Sequence, residues 1–411
     1  MDGIFMEWGS LLLRWLHIIA AIAWIGSSFY FMHIDAALRN TPEFPPGKGG
    51  ELWEVHGGGF YHVQKYLVAP ERLPEELIWH KWEAYTTWIS GFFLLVWIYY
   101  LSADVYLIDP AVRVLSTPVA ASIGIGALVA GWAVYDGLCR SKLADRPVAL
   151  AVVSFVFIVG MAFFFQQIYS ARGAFVHTGA LMATMMAGNV LMIIIPNQRK
   201  VIASLVAGEA PDPKYGKIGK VRSTHNNYLT LPVIFLMISG HYPLTYASEW
   251  AFVVVGLILI SGGAVRHFYN MRHLRKGNMW WLWLLAALAL CGAIAISIPA
   301  SPVARDRLGM ADAPARTAKI AQAQAPQDVV EIVISRCSMC HGALPVWPGI
   351  PIAPKGVLLD TPELVQRWKH DVQLQAGLTR AMPPNNLTEM TDAERAVLRA
   401  WGEQKKSAVL H

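Results

Sequence analysis

Long apolar stretches separated by short polar segments fill residues 1–298 of the chain. A helix needs about 20 apolar residues to cross the roughly 30 Å hydrocarbon core of a bilayer. Stretches near this length lie around residues 11–32, 84–101, 114–135, 148–168, 175–196, 228–244, 251–265 and 279–298. The sixth is the weakest, because it is short and is interrupted by Pro232, Gly240 and His241. The pattern predicts an all-α transmembrane domain of eight spans.

The loops between these stretches differ in their lysine and arginine content. One alternate set holds nearly all of these residues, at positions 34–82, 137–147, 197–223 and 266–277. The other set contains Arg113 and Arg172. Because basic loops remain in the cytoplasm, both ends of the domain are predicted to lie outside. The net charge of +6 follows from this topology and does not indicate a nucleic-acid partner.

The composition indicates membrane lipid as the surroundings of this first domain. Only 15% of the residues are charged and 55% are hydrophobic, whereas about 25% of the residues of soluble proteins are charged. Residues 1–8 contain Asp2 and Glu7 and no basic residue, whereas a secretory signal begins with basic residues. We therefore expect the first apolar stretch to be retained as a transmembrane helix.

The chain changes character after the last apolar stretch. Residues 299–326 are rich in Ala, Pro and Gln and lack apolar periodicity, which predicts a flexible linker. Residues 327–411 contain helical patterns, including one over residues 362–374 and a last one that begins at Thr391 with the capping-box sequence Thr-Asp-Ala-Glu. These patterns predict a second, small all-α domain.

The second domain contains the run Cys-Ser-Met-Cys-His at residues 337–341, a spacing typical of covalent attachment of a c-type haem. Cys337 and Cys340 would form thioethers to the haem, and His341 would bind the iron from one face. A disulfide and half of a zinc site are the alternatives. Zinc needs a second pair of ligands, for which the domain offers only two further histidines. The motif therefore predicts a cytochrome c domain.

The second iron ligand is predicted to be Met382, because the two prolines that follow it hold a short extended loop. Met390 and Met339 are the alternatives. Ligation by Met and His raises the haem potential, so such a haem would accept electrons readily. Haem of this type is attached outside the cytoplasmic membrane, on the side that the loop charges predict for the C-terminus.

Histidines occur inside or at the ends of the apolar stretches, where ionisable residues are costly and are functional candidates. The predicted topology divides them between an outer layer and the cytoplasmic ends of spans: His17, His177 and His241 in the first, and His33, His80, His225 and His267 in the second. Histidine pairs on facing helices would hold a b-type haem, with His17 and His177 as the leading candidates. Hydrogen bonding at the membrane interface is the alternative.

The first cytoplasmic loop, residues 34–82, is long for a connection, and its aromatic content indicates order. The three glycines at residues 57–59 would allow a tight turn or close backbone approach to a ligand. They do not form a phosphate-binding loop, since no Gly-Lys-Ser or Gly-Lys-Thr follows them. With residues 81–83, Asn189, Gln198 and residues 222–227, this loop predicts a polar, aromatic-lined pocket for a planar, nitrogen-rich molecule. A merely solvated loop is the alternative.

Three runs are unusual enough to be specific. They read Val-His-Gly-Gly-Gly-Phe-Tyr at residues 55–61, Lys-Trp-Glu-Ala-Tyr-Thr-Thr-Trp at 81–88 and Ser-Thr-His-Asn-Asn-Tyr-Leu-Thr-Leu-Pro at 223–232. They resemble the bacterial membrane-bound urate oxidase family, also called urate hydroxylase. The resemblance implies eight spans and a cytochrome c domain in the cytoplasmic membrane, and oxidation of urate to 5-hydroxyisourate with water as the oxygen source. Electrons would leave through the c-type haem to a soluble cytochrome or a terminal oxidase.

For this reaction we predict His225 or Glu83 as the base that assists attack of water on urate, because a pKa near the working pH suits that role. Arg222 would bind the urate anion and Asn226 would read an edge of the ring. A cytoplasmic site would lie about 30 Å of hydrocarbon away from an external haem. Either a b-type haem relays the electrons, or the substrate binds near the outer histidines.

Two other functions fit part of the pattern. An electron-transfer cytochrome that oxidises quinol or a partner complex would explain the histidines and the haem motif, but not the Gly-rich loop. A transporter with a redox gate is disfavoured, because the two halves of the domain show no paired spans broken by Gly or Pro.

Overall fold

A computed structural model describes residues 3–39, 48–66, 70, 73–110, 112–300, 325–348, 350, 352–378 and 381–403. The chain is mostly helical. Most of the predicted linker, residues 299–326, lies outside the described residues, as do His411 and the end of the last predicted helix.

Ten helices form the N-terminal bundle within the described residues. They are α1 Gly3–Ala37, α2 Trp82–Leu94, α3 Ala103–Tyr106, α4 Thr117–Arg140, α5 Pro147–Gln166, α6 Ala171–Gly188, α7 Ile195–Val206, α8 Pro213–Ser239, α9 Ala251–His273 and α10 Trp281–Ser297. Each predicted span coincides with one of these helices or with two joined ones.

Five of the described helical stretches are long and apolar enough to cross a membrane: Trp8–Ala37, Thr117–Arg140, Pro147–Gln166, Ala171–Val206 and Ala251–His273. The other three predicted spans are helical too, but α2 gives way to a π turn, α8 carries charged residues in its first half, and α10 has 17 residues. Large apolar side chains face outward, as with Trp15 and Ile22 at 64% and 66% exposed. Such a surface suits contact with lipid.

Two π turns interrupt the helices and bring polar side chains into the bundle. Leu95–Tyr100 continues α2, and Asn189–Ile194 joins α6 to α7. Tyr99, Tyr100 and Asn189 are buried. Because π turns inside helices frequently occur at functional sites, both positions are candidates for chemistry.

The first long loop contains a β-hairpin, which the all-α prediction did not include. Strand β1, Lys48–His56, pairs antiparallel with β2, Gly59–Tyr66. Gly57 and Gly58 have φ of 58° and 82°, as a two-residue type I′ turn requires. The predictions of order and of a tight turn are therefore confirmed, while the strand assignment was missed.

The described C-terminal region contains four helices, α11 Gln327–His341, α12 Pro362–Arg367, α13 Lys369–Val372 and α14 Asp392–Glu403. The single helix predicted over residues 362–374 is instead α12, α13 and a following π turn. The capping box is confirmed. Thr391 N donates to Glu394 Oε2 at 2.6 Å, and Glu394 N donates to Thr391 Oγ1 at 3.2 Å.

The C-terminal region packs against one end of the bundle, where α6 begins. Tyr106 OH donates to Asp371 Oδ1 at 2.5 Å, and Arg367 Nη2 donates to Ile108 O at 3.0 Å. The Tyr106 ring meets the edge of Trp368 with 5.8 Å between centroids. We call this end of the bundle the Arg172 end and the opposite one, where α8 begins, the Arg222 end.

Candidate functional site

The predicted haem-attachment motif ends helix α11, so Cys337, Cys340 and His341 lie together at the C-terminal end of one helix. His341 Nδ1 donates to Val357 O at 3.0 Å, which leaves Nε2 as an acceptor for a metal. Burial lowers the pKa of His341 more than the hydrogen bond to Val357 raises it, and this favours the neutral ring that binds iron.

Met382 lies on the wall of the same cavity as the three motif residues. Its backbone is fixed on both sides, because Met382 N donates to Gln375 O at 2.8 Å and Arg395 Nη1 donates to Met382 O at 2.9 Å. Met390 is instead 3% exposed and packs into the hydrophobic core of the region. The side chains present therefore fit a covalently attached haem with His341 and Met382 as iron ligands.

The cavity continues past the motif to the bundle. Arg14 of α1 and Arg172 of α6 line its far wall together with Trp97 and Tyr106. We call it the shared cavity, because the C-terminal region supplies one wall and the Arg172 end of the bundle supplies the other. It is lined both by the predicted haem-attachment motif and by these two cationic side chains.

Arg172 is held between two aromatic rings. Its guanidinium carbon lies 5.8 Å from the centroid of Tyr99 and 5.2 Å from that of Tyr106, within the range of a cation–π contact. Arg172 Nε is shielded from solvent and has no hydrogen-bond partner among the described residues. Sequence reasoning did not assign this residue to a site, although it was one of two exceptions to the distribution of basic loops.

His177 lies at the same end and is fully buried at 0% exposure. Its Nδ1 donates to Gly173 O at 2.8 Å, so Nε2 is the acceptor of the Tyr100 hydroxyl at 3.1 Å. A methyl group at Gly124 would lie 2.5 Å from the Tyr100 hydroxyl, so only glycine allows this packing. A b-type haem on His177 would have to displace Tyr100.

His17 differs from His177. Its Nδ1 donates to Thr87 O at 3.0 Å, which leaves Nε2 as an acceptor. A methyl group at Gly91 would lie 2.8 Å from His17 Cε1, so the ring packs directly on the backbone of α2. The pairing of His17 with His177 around one iron stays a prediction.

The Arg222 end contains most of the predicted catalytic residues. Arg222, His225 and Asn226 follow one another on one face of α8, as their spacing of three and four requires. Arg222 Nη2 donates to Asp136 Oδ1 at 2.5 Å, and Arg222 Nη1 donates to Asn189 Oδ1 at 3.1 Å. The arginine is 3% exposed and forms an ion pair with Asp136.

The same network reaches His225. Asn189 Nδ2 donates to Tyr135 OH at 2.9 Å and to Asn226 Oδ1 at 2.8 Å. Tyr135 OH can then donate to His225 Nδ1 at 2.8 Å. Asn226 Nδ2 donates to Met186 O at 2.9 Å, so its amide is also occupied within the protein. The polar groups of this network therefore form their hydrogen bonds with one another and with the backbone.

Glu83 lies apart from this network. Its Oε1 is 3.3 Å from His80 Nδ1, and no described contact joins it to Arg222, His225 or Asn226. The structure therefore brings three of the four predicted residues together and leaves Glu83 apart, and their catalytic roles stay predictions. Among the described residues, no group of three or more His, Cys, Asp or Glu side chains could hold a bare metal ion.

A protein-family model described as Urate oxidase N-terminal matches residues 3–297, which cover the whole helical bundle. No curated protein and no solved structure matches the chain.

Proposed function

The chain belongs to the urate oxidase N-terminal family, and from this premise we propose that it oxidises urate within a membrane and delivers the electrons to a c-type haem on its C-terminal region. The family match supports urate as the substrate and oxidation as the reaction. The apolar helices support association with a membrane.

The observation that carries this proposal is the shared cavity. One wall holds the attachment motif with Cys337, Cys340 and His341, and the other belongs to the part of the chain that the family model matches. A substrate bound to the bundle at this end would lie beside the haem. Electron transfer would then require no passage through the hydrocarbon layer.

We further propose that the bundle crosses a bacterial cytoplasmic membrane eight times, with both chain ends on the outer side. The Arg172 end and the C-terminal region would then face the periplasm, and the β-hairpin and the Arg222 end would face the cytoplasm. The distribution of basic loops supports this orientation.

The proposed reaction balances as urate plus water giving 5-hydroxyisourate, two protons and two electrons. A haem attached at Cys337 and Cys340, with His341 and Met382 as ligands, would take one electron at a time and pass it to a soluble cytochrome or a terminal oxidase. The protein residues bind and orient the urate anion and accept the protons. His225 and Glu83 stay predictions, as bases for a substrate bound at the Arg222 end, because neither side chain lines the shared cavity.

The decisive experiment is an anaerobic titration of the oxidised holoprotein with urate, followed by the absorbance of the reduced haem. We expect one urate to reduce two haems, because the reaction releases two electrons. In water labelled with ¹⁸O, the 5-hydroxyisourate should carry the label. The same titration with His225→Gln and Glu83→Gln variants would test the predicted bases.

Reduction by quinol but not by urate would overturn the proposal and favour an electron-transfer cytochrome. A requirement for oxygen in haem reduction would overturn the assignment of water as the oxygen source. Xanthine serves as the control purine, because it has the same pyrimidinedione ring but lacks the 8-oxo group.

A further inference from the structure

We infer that Arg172 binds the urate anion in the shared cavity, next to the haem-attachment motif, and that the Arg222 cluster is not the substrate site. This inference rests on the proposed function and adds to it the place and the side of the membrane at which substrate binds.

The first reason is the state of the Arg172 charge. Among the described residues no carboxylate is recorded in an ion pair with the Arg172 guanidinium, although Asp371 interacts with it electrostatically, and Arg172 Nε has no hydrogen-bond partner there. Shielding a cation from water without an anion costs free energy. The two tyrosine rings fix the position of the guanidinium but do not neutralise it. An anion would complete the site.

The second reason is the charge around the cavity. Arg14, Arg172 and Lys355 lie on its walls, and Asp371 is the carboxyl group on them. Tyr106 OH donates to Asp371 Oδ1, and burial raises the pKa of Asp371 despite this hydrogen bond. The net charge of the side chains on the cavity walls is therefore positive, which suits binding of a monoanion.

The third reason is shape. The indole rings of Trp97, Trp347 and Trp368 line the cavity beside the phenol of Tyr106. Flat aromatic walls stack on a planar ring, and a guanidinium can hydrogen-bond two neighbouring acceptors on its edge. A purine anion has both features, as does a haem with its propionates, whereas a quinol carries no charge.

The fourth reason is distance. Arg172 and Asn189 lie on the continuous stretch of α6 and its π turn, about 25 Å apart at a rise of 1.5 Å per residue. A substrate at the Arg222 cluster would therefore lie far from the motif, whereas one at Arg172 shares its cavity. Arg222 also already has Asp136 as its anion.

A haem propionate offers the same carboxylate chemistry as a bound anion and is the other possible partner of Arg172. The two sources are separable. Loss of a propionate contact changes the haem content or the haem midpoint potential, whereas loss of a substrate contact changes the affinity for urate.

The test uses the holoprotein with its haem reduced beforehand, so that urate binds without reacting, and measures binding of radiolabelled urate by equilibrium dialysis. We expect Arg172→Gln to weaken binding about a hundredfold, the size expected for a lost charge-assisted pair, and to raise KM similarly with a smaller change in kcat. Arg172→Lys should recover part of the affinity. Haem content and midpoint potential should remain unchanged.

Arg113→Gln is the matched control. It removes the same charge from an exposed position in the same predicted set of loops, away from the shared cavity, and should leave the affinity for urate unchanged. Unchanged binding in both Arg172 variants would overturn the inference, as would a shifted haem potential with unchanged binding. Failure of urate to reduce the wild-type haem would instead overturn the proposed function.

Discussion

Arg222 and Arg172 lie at opposite ends of the helical bundle and have opposite electrostatic surroundings. Arg222 has Asp136 at 2.5 Å and Asn189 at 3.1 Å, so both of its terminal nitrogens have a partner within the protein. Arg172 is fixed by two tyrosine rings and has an Nε without a partner among the described residues. Both are arginines largely shielded from water, but within the described residues only Arg222 forms an ion pair.

The difference separates a structural arginine from a ligand-binding one. A buried ion pair with all its hydrogen bonds fixes the packing of helices and has little capacity left for a ligand. An arginine that is held in place without an anion is already positioned to bind an anionic ligand in its cavity. The sequence makes Arg222 look functional, because it directly precedes the specific run at residues 223–232, and makes Arg172 look incidental.

Breaking the Arg222 pair should have the largest effect on stability. Asp136→Ala leaves Arg222 buried without its anion, and we expect a loss of about 3–5 kcal/mol in the free energy of unfolding. Thermal unfolding of the purified protein in detergent checks this. The folded fraction should still bind urate with wild-type affinity, because Arg172 is untouched.

The double variant Asp136→Asn with Arg222→Gln is the control, since it removes both charges together. It should be more stable than Asp136→Ala, because no uncompensated charge remains. If Asp136→Ala instead abolished urate binding in protein that remains folded, the Arg222 end would be the substrate site.

A smaller loss of stability is expected at His177, because its hydrogen bond with Tyr100 joins two neutral side chains rather than an ion pair. Tyr100→Phe removes the donor to His177 Nε2, and an unsatisfied buried group costs about 1–3 kcal/mol. The pyridine haemochrome spectrum of Tyr100→Phe and of His177→Phe should match that of the wild type. Loss of a non-covalent haem in His177→Phe would show that His177 binds iron.

Docking of the C-terminal region should depend on pH through Asp371. Burial against the bundle raises the pKa of this carboxyl above its ordinary value, although Tyr106, His370, Arg172 and Lys355 favour the ionised form. The protonated form is therefore favoured in the docked state. Docking should be strongest below the ordinary pKa of aspartate and should weaken as the pH rises through the raised one.

Hydrogen exchange of the amides in α3, corrected for the intrinsic effect of pH, measures this docking. Protection of Tyr106 should decrease with rising pH in the wild type and should lose this dependence in Asp371→Asn. Arg367→Ala, which removes the bond to Ile108 O, is the control that weakens docking equally at each pH.

Most of the fold could be predicted from the sequence, because the length of each apolar stretch and the polar segments between stretches directly indicate the helices. The eight predicted stretches all coincide with helices, and the tight turn at Gly57 and Gly58 follows from the glycines alone. The hairpin strands were missed. The loop between the first two predicted spans was interpreted by its composition and not by the alternation of apolar and polar residues along it. The break at Trp368, between α12 and α13, was missed because local propensity there indicates one helix.

The site was only partly predictable, because its decisive contacts join residues far apart in sequence. The spacing of Arg222, His225 and Asn226 placed them on one face of α8, but nothing in the sequence identified Asp136 as the partner. Tyr106 and Asp371 are separated by 265 positions. Arg172 carried one signal, its place among outer loops in which Arg113 is the other basic residue.

The smallest effect is expected for a third arginine, Arg336, whose partner Glu394 lies 2.9 Å away at a partly exposed position. Burial would raise the pKa of Glu394, but the hydrogen bonds from Thr391 and Arg336 outweigh it and lower the pKa below the ordinary value. This contribution to stability is present above the ordinary pKa of glutamate and is lost as the pH falls through the lowered one. Glu394→Gln should therefore cost about 1 kcal/mol or less at neutral pH. Thermal unfolding should show this loss at pH 7 and nearly none in strong acid, whereas an equal loss at both would mean that packing, and not charge, makes Glu394 stabilising.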